Sequence, residues 1–239
     1  MNKLLTVFCL IFLLVQATAA SAGQADLDGM LQRSLVAYSR VTDYRCTFHK
    51  KELVRGKIKE VRNLQFKFRK PDSFYLKYTV GDDAGLEAIY AKGKYDNKLE
   101  VHLGGFFGFF RIAVDPRGSL ALKNNRHPIM DAGIGQILYL MEKNYQQAKN
   151  DPESRITLEG EALLNGRNTL MVKAVFPKDK GYYGNGVLIW IDKETSLPVK
   201  ITVHGWNNEF LEEYQYDAIR LNVGLTDMDF DVKNPEYRF

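Results

Sequence analysis

The segment KNNRHPIMDAGIG, residues 123–135, brings together the side chains best suited to chemistry. Arg126 and His127 are adjacent, Asp131 follows, and two glycines close the segment. This composition is typical of a phosphate cradle, a catalytic loop or the start of a helix. The glycines lack the remainder of a P-loop or dinucleotide fingerprint, and an aspartate at a helix start repels anions. We therefore interpret the segment as the anchor of a lid helix, in which Arg126 and His127 either tie the helix to a sheet rim or contact a lipid head group.

The histidines and cysteines do not form a metal site or a nucleophilic pair. The four histidines are scattered, and neither an H-E-x-x-H motif nor a cysteine pair accompanies them, so we predict no metal and no cofactor. Cys46 and His49 lie three residues apart in an alternating segment, which places them on opposite faces of a strand. Cys46 shares its face with Tyr44 and Phe48, and this favours an apolar core cysteine over a nucleophile.

The serines and carboxylates also fail to indicate a catalytic site. The chain has no G-x-S-x-G elbow. Glu159 and Glu161 share a face of one strand, which is compatible with acid–base chemistry, but the solvated side of an edge strand is the favoured explanation. We therefore predict that the protein is not an enzyme. A hydrolase would require Arg126 and His127 to converge with a carboxylate in a cleft.

Residues 104–110, GGFFGFF, have the most unusual composition in the chain. Phe106, Phe107, Phe109 and Phe110 stand among three glycines, just after a predicted strand. The glycines disfavour a regular strand and favour a bent loop. The phenylalanines either fold back onto the apolar face of a sheet or bind a lipid, an acyl chain or a partner surface. The sequence leaves both alternatives open.

The N-terminus has the pattern of a secretory signal peptide. It carries Lys3, an apolar run from Leu4 to Val15, and a small-residue cleavage site before Gly23. The run is shorter than the roughly 20 residues of a transmembrane helix. We therefore predict that residues 1–22 are a signal peptide, cleaved near Ala22–Gly23, and that residues 23–239 form one exported, periplasmic domain.

The charge pattern excludes a nucleic-acid arm. The net charge is +4, of which Lys3 supplies one unit, and no run of five or more like charges appears. Only Cys46 remains once the signal peptide is removed, so no internal disulfide is possible in the mature chain. We expect a monomer that does not bind nucleic acid.

Two segments have the apolar spacing of helices. One is Asp26–Arg40, and the other is Asp131–Lys149, with Asp131 as the predicted N-cap. The second helix has an apolar stripe made of Ile134, Ile137, Leu138, Met141, Tyr145 and Ala148. Gly133 and Gly135 then fall in its first turn, where glycine costs about 1 kcal/mol relative to alanine, and this indicates close backbone packing.

The remaining segments alternate with a period of two. Hairpin turns are predicted at VRGK, GKYDN and NGR, which gives sequential antiparallel strands in two blocks, one on each side of the second helix. One face of these strands is apolar and the other polar, as expected for a sheet packed on one side. We predict that the C-terminal tail FDVKNPEYRF packs into the core.

The order of these elements resembles that of the bacterial lipoprotein carriers LolA and LolB, most clearly in LIWIDKETSLPVKITVHG. More narrowly, YRCTFHKKELVRGK, FKFRKP and SLALKNNRHPIMDAGIG are similar to the bacterial family catalogued as domain of unknown function 1571 (DUF1571), over nearly the whole mature chain.

The resemblance implies an α+β fold, a curved antiparallel half-barrel of the LolA-like kind. The N-terminal helix and the central helix would lie against its concave face. The carriers hold acyl chains between sheet and helices, but none of their functional residues can be matched to positions here.

These patterns together favour a non-enzymatic carrier or binding protein. It would hold an acyl chain, a lipid or a lipoprotein in the concave face and contact a membrane transiently. Arg126, His127 and Asp131 would lie at the start of the lid. The expected ligand-binding residues are Phe106, Phe107, Phe109, Phe110, Ile134, Ile137, Leu138, Met141 and Tyr145. The alternative is an envelope module that binds a protein or a glycan and has a solid core without a ligand cavity.

Overall fold

The computed structural model describes residues 26–104 and 110–239. The predicted signal peptide and Phe106, Phe107 and Phe109 lie outside the described residues. In chain order, the described helices and strands are α1 (26–39), β1 (Asp43–Val54), β2 (Lys57–Arg69), β3 (Ser73–Lys77), β4 (Glu87–Ala91), β5 (Leu99–His102), β6 (Arg111–Val114), α2 (Ile134–Ala148), β7 (Arg155–Leu164), β8 (Arg167–Val175), β9 (Gly186–Asp192), β10 (Pro198–His204) and β11 (Phe210–Leu221). Short 3-10 turns lie at Tyr95–Asn97, Ile129–Ala132 and Asp227–Phe230.

All of these strands belong to one sheet. Their order is β6-β5-β4-β3-β2-β1-β11-β10-β9-β8-β7, and every neighbouring pair is antiparallel. The two predicted strand blocks are therefore one continuous, curved and unclosed sheet, joined where β1 pairs with β11. The predicted α+β half-barrel class is confirmed. Strand β6 is an element that the sequence pattern does not predict, because its four residues directly follow the glycine-rich loop.

The concave face of the sheet carries the main core. Tyr44, Cys46 and Phe48 alternate along β1 and are buried, whereas Arg45 between them is exposed. Helices α1 and α2 cover this face with buried leucines and isoleucines such as Leu31. The prediction that Cys46 is a core residue is confirmed, and burial raises the pKa of its thiol well above the usual range, so it does not form a thiolate readily.

Helix α2 begins at Ile134, three residues after the predicted start. The prediction that Asp131 caps the helix is wrong, because Asp131 lies in the preceding 3-10 turn and the N-cap residue is Gly133, with no side-chain cap. The sheet supplies the missing polar partners. The Tyr44 hydroxyl accepts the N–H of Ile134 at 3.0 Å, and the Tyr216 hydroxyl donates to the carbonyl of Ala132 at 2.7 Å.

The two glycines at the start of α2 meet different neighbours. A Cβ atom on Gly133 would lie in ordinary contact with Phe74 of the sheet, at 3.5 Å. A Cβ atom on Gly135 would overlap the ring and hydroxyl of Tyr38 on α1. The close backbone packing inferred from these glycines is therefore present, but at Gly135 the partner is helix α1 and not the sheet.

The C-terminal tail packs on the convex face. Phe230 is completely buried against Tyr75 and Ile89, so β3 and β4 are covered on both faces. The Lys67 ammonium anchors the tail through Asp229, 2.8 Å away. The prediction that the tail packs into the core is confirmed only for its start, because Phe230 lies in a second buried cluster while Lys233, Pro235, Glu236 and Arg238 are exposed. The expectation of a sheet that is wet on its second side fails for these strands.

Replacing Gly135 with alanine should destabilise the protein by about 1–3 kcal/mol, because the added methyl group must displace Tyr38 from a packed interface. The matched control is Gly133→Ala, whose methyl group has room, so its free energy of unfolding should change little. Urea unfolding of both variants measures the difference. Equal effects at the two positions would contradict the packing described here.

Candidate ligand-binding site

Two separate roofs cover the concave face. Helices α1 and α2 cover the half of the sheet formed by β7–β10, and the start of α2 reaches Tyr44 of β1 and Phe74 of β3. The segment between β6 and α2, residues 115–133, covers the half formed by β3, β4, β5 and β6; we call this segment the strap. A connection of this length without regular helix or strand is usually functional in a compact protein. Each roof leaves a cavity between itself and the sheet.

The cavity under the helices, cavity 1, has a volume of about 150 Å³. One water molecule needs roughly 10–15 Å³ of such volume, so cavity 1 has room for ten or more atoms of a ligand or solvent. Its walls are mainly apolar side chains from both helices and from the four strands β7–β10. They include Met30, Leu31, Ile137, Met141, Tyr145, Val172, Ala174, Ile189 and Ile201.

The cavity under the strap, cavity 2, is larger, at about 260 Å³. Its floor is mainly apolar and comes from β1, β3–β6 and Tyr214 of β11, and its roof comes from the strap. The walls include Phe48, Leu76, Ala88, Leu99, Val101, Val114, Ala121 and Ile129. Among the described residues, no side chain lines both cavities.

Two buried carboxylates lie between the cavities. Glu52 of β1 and Glu212 of β11 are direct cross-strand partners and point to the same concave face. They are only 2% and 6% exposed, respectively. Like charges directly opposite each other destabilise a sheet, and a buried charge is costly without a partner. The pair therefore requires compensating cations and hydrogen-bond donors.

The strap supplies the partners of Glu212. Arg126 Nε lies 3.1 Å and His127 Nε2 lies 2.8 Å from the same carboxylate oxygen of Glu212. The Tyr183 hydroxyl, from the loop between β8 and β9, donates to that oxygen at 3.0 Å. Arg126 also donates to the carbonyl of Leu53 at 2.7 Å, which ties the strap to the end of β1.

The sheet supplies the partners of Glu52. The Tyr214 hydroxyl donates to Glu52 at 2.5 Å, and the Lys50 ammonium lies 3.5 Å from it. Lys50 also donates to the side-chain carbonyl of Asn125, in the strap. We call the whole set the seam cluster, because it lies where β1 joins β11. It consists of Lys50, Glu52, Arg126, His127, Tyr183, Glu212 and Tyr214.

The electrostatics of the seam cluster favour the protonated, charged forms of His127 and Lys50 and the protonated, neutral form of the Tyr183 hydroxyl. Burial alone lowers the pKa of His127, but its hydrogen bond to Glu212 and the charges of Glu212 and Glu52 raise it above the ordinary value overall. Burial also lowers the pKa of Lys50, and Tyr78 and Glu52 reverse this effect. Burial and the charge of Glu212 raise the pKa of Tyr183 to about 12, so its hydroxyl remains a donor.

The convergence that a hydrolase would require is therefore present. Arg126 and His127 meet a carboxylate, Glu212, and a histidine oriented by a carboxylate is able to transfer protons. Within residues 26–104 and 110–239, however, no serine, threonine or cysteine forms a hydrogen bond with His127. Among the described residues, the arrangement therefore offers a proton-transfer group but no side-chain nucleophile beside it.

The predicted ligand-binding residues lie in three environments. Ile137, Met141 and Tyr145 line cavity 1, whereas Ile134 and Leu138 are fully buried in the core beside it. Phe110 is 51% exposed. Phe106, Phe107 and Phe109 lie outside the described residues.

The residues predicted at the start of the lid, Arg126, His127 and Asp131, lie in two different places. Arg126 and His127 belong to the seam cluster and bind Glu212 of the sheet. Of the two roles considered for them, this contact agrees with tying the helix to the rim of the sheet. Asp131 lines cavity 2, and its carboxylate lies 3.9 Å from Arg117.

The residues that sequence reasoning missed are the polar side chains of β1 and β11. Lys50 and Glu52 continue the even-numbered, inward face begun by Tyr44, Cys46 and Phe48, which is a readable signal of buried charge. Nothing local indicates that Glu212 faces Glu52, because the pairing joins strands 160 residues apart in the chain.

Comparison with known proteins identifies a family and a fold. The family described as "Protein of unknown function (DUF1571)" matches residues 41–239. No curated protein sequence matches the chain. Among solved structures, the lipoprotein LppX of Mycobacterium tuberculosis has a TM-score of 0.51 at 13% identity, over 87% of this chain and 99% of LppX. That similarity shows a shared fold.

Two further solved structures are more distant. A putative outer membrane lipoprotein-sorting protein domain from Vibrio parahaemolyticus has a TM-score of 0.42 at 12% identity, covering 86% of this chain and 97% of that domain. A LolA superfamily protein from Nitrosomonas europaea has a TM-score of 0.35 at 10% identity, covering 85% and 96%, respectively.

Residues 26–104 and 110–239 contain neither a membrane-spanning helix nor a cluster of metal-ligating side chains. No helix there is long and apolar enough to cross a bilayer. No group of three or more histidine, cysteine or acidic side chains in those ranges is arranged to hold a metal ion.

The stabilising effect of His127 should depend on pH. Because its pKa in the folded protein is raised above 6.5, its contribution to the free energy of unfolding is complete below about pH 6.5 and is lost as the pH rises through the folded pKa. Wild type and His127→Gln should therefore differ most at low pH, by about 1 kcal/mol for a partly exposed ion pair.

Urea unfolding of both proteins across this pH range measures the difference. His204→Gln, the same substitution at a histidine outside the seam cluster, is the control for the change of residue type. A difference between wild type and His127→Gln that grows with rising pH would contradict the assignment.

Proposed function

We propose that this chain, which belongs to the DUF1571 family, is an exported binding protein that holds the apolar part of a lipid, an acyl chain or a lipoprotein in the concave face of its sheet. The observation that supports the proposal is the pair of cavities between the sheet and its two roofs. Residues 1–22 have the pattern of a signal peptide, which supports export. In this proposal the protein is a monomer that carries out no reaction and contacts a membrane only transiently.

The cavity walls favour an apolar and variable ligand. A cavity in a protein core lowers stability, because its lining atoms lose packing partners, and an apolar ligand restores those contacts. Each square ångström of apolar surface removed from water contributes about 25 cal/mol. Met30 and Met141 line cavity 1, and the flexible methionine side chain adapts to ligands of different shapes.

The alternative of a protein-binding or glycan-binding module requires a concave face filled by its own side chains. The two cavities argue against a solid core. If this module were the true function, the purified protein would carry no lipid and would fail to bind apolar probes.

A hydrolytic function is the second candidate, because Arg126 and His127 converge on Glu212, which lines cavity 1, and His127 lines cavity 2. Turnover of a p-nitrophenyl ester with a medium-length acyl chain tests it. Hydrolysis above the buffer rate that disappears in His127→Gln, but persists in His204→Gln, would support catalysis. Equal rates with and without protein would exclude the reaction for esters of this kind.

Binding of fatty acids should depend steeply on chain length. Each buried methylene group contributes about 0.8 kcal/mol, so the affinity should rise about fourfold per added carbon until the cavity is full. Displacement of a fluorescent fatty-acid probe by a series of saturated acids measures this dependence. Butyrate, which has the same head group and little apolar surface, is the control. Affinities that do not change with chain length, or failure of the probe to bind, would contradict the proposal.

A further inference from the structure

The two cavities meet at the seam cluster from opposite sides. Glu212 and Tyr183 line cavity 1, whereas Glu52, His127 and Tyr214 line cavity 2. Glu212 and His127 are in direct contact, with 2.8 Å between carboxylate oxygen and imidazole nitrogen. The polar wall between the two apolar compartments is therefore only one hydrogen bond thick at this point.

Both cavities and the seam cluster lie towards the same rim of the sheet. Since β1, β3 and β8 run in the same direction in the antiparallel order, their C-terminal ends share one rim. The loop after β8 contributes Gly181 and Gly184 to cavity 1, and the loop after β3 contributes Asp83 and Leu86 to cavity 2. Glu52 lies two residues from the end of β1, at this rim.

The seam cluster reaches solvent at the rim and presents hydrogen-bond donors there. Tyr183 is 47% exposed, and Arg126 and His127 are partly exposed. The Arg126 guanidinium has five N–H groups, and its hydrogen bonds to Glu212, Leu53 and Tyr183 use three of them, so two donors remain. These two remaining donors would complement the oxygen atoms of an ester or a phosphodiester, which accept hydrogen bonds.

We infer that the ligand has two apolar chains joined by an oxygen-rich polar centre, with one chain in each cavity and the polar centre at the seam cluster. This inference rests on the proposed lipid-binding function and adds the class of ligand. A single-chain fatty acid would fill one compartment and leave the other empty. A two-chain ligand fills both compartments and places its polar group where the donors and the solvent are.

The first test compares two lipids with the same head group by native mass spectrometry of the wild-type protein. Phosphatidylglycerol has two acyl chains and lysophosphatidylglycerol has one. We expect one bound phosphatidylglycerol but up to two lysophosphatidylglycerols per protein. A maximum of one molecule for both lipids would overturn the inference, because the compartments would then not accept separate chains.

The second test fills each cavity separately. Ala174 of β8 lines cavity 1 and Ala88 of β4 lines cavity 2, and both are buried alanines on strands. Ala174→Trp and Ala88→Trp should each weaken phosphatidylglycerol binding by at least roughly tenfold, since each removes the burial of one chain. Each variant should still bind one lysophosphatidylglycerol. Ala113→Trp, at an exposed position of β6, is the control and should bind like wild type.

The outcomes separate this inference from the proposed function. If one tryptophan variant abolishes phosphatidylglycerol binding and the other leaves it unchanged, both chains share one cavity, and the inference fails while lipid binding stands. If the wild-type protein binds neither lipid nor the fatty-acid probe, the proposed function itself fails. Where a tryptophan variant does not unfold cooperatively, Ala174→Phe or Ala88→Phe replaces it.

Discussion

Two glutamates that face each other across the β1–β11 junction determine how the concave face is closed. Glu52 and Glu212 are both buried, and their register fixes them side by side. Unpaired, each would cost several kcal/mol of desolvation. The strap provides the cations that Glu212 needs, so the strap must lie across the sheet for the junction to be stable. A local electrostatic requirement therefore positions a 19-residue segment that has almost no regular structure of its own.

This arrangement also explains why the concave face has two compartments. An apolar junction between β1 and β11 would leave one continuous trough under the helices and the strap. The seam cluster interrupts the trough with a polar wall, and each side keeps its own roof. The wall stands at the rim, where it reaches solvent, while the apolar pockets extend along the sheet. The same residues thus stabilise the closed state and separate the two places where apolar chains would bind.

Much of the fold could be predicted from the sequence, because its signals are local. The alternation of apolar and polar residues predicted most strands, and the apolar stripe predicted α2. The same alternation placed Cys46 on the inward face of β1. The failures are contacts between distant segments. The N–H of Ile134, the first residue of α2, donates to the hydroxyl of Tyr44, 90 residues earlier in the chain, and not to Asp131. Glu212 meets Glu52 only because the last strand, β11, pairs with the first, β1. For the site, the positions of Lys50 and Glu52 in phase with the buried residues of β1 were a readable signal, but their partners were not.

If Glu212 holds the strap over the sheet, the hydrogen exchange of the strap's backbone amides must depend on the charge of Glu212. Glu212→Gln removes the charge that pairs with Arg126 and His127, whereas Glu213→Gln changes the neighbouring residue, which points to the other face and contacts Lys200. We expect faster exchange across residues 123–133 in Glu212→Gln, with α1 unaffected, and no change in Glu213→Gln. Equal protection of the strap in the wild type and in Glu212→Gln would contradict this role of Glu212.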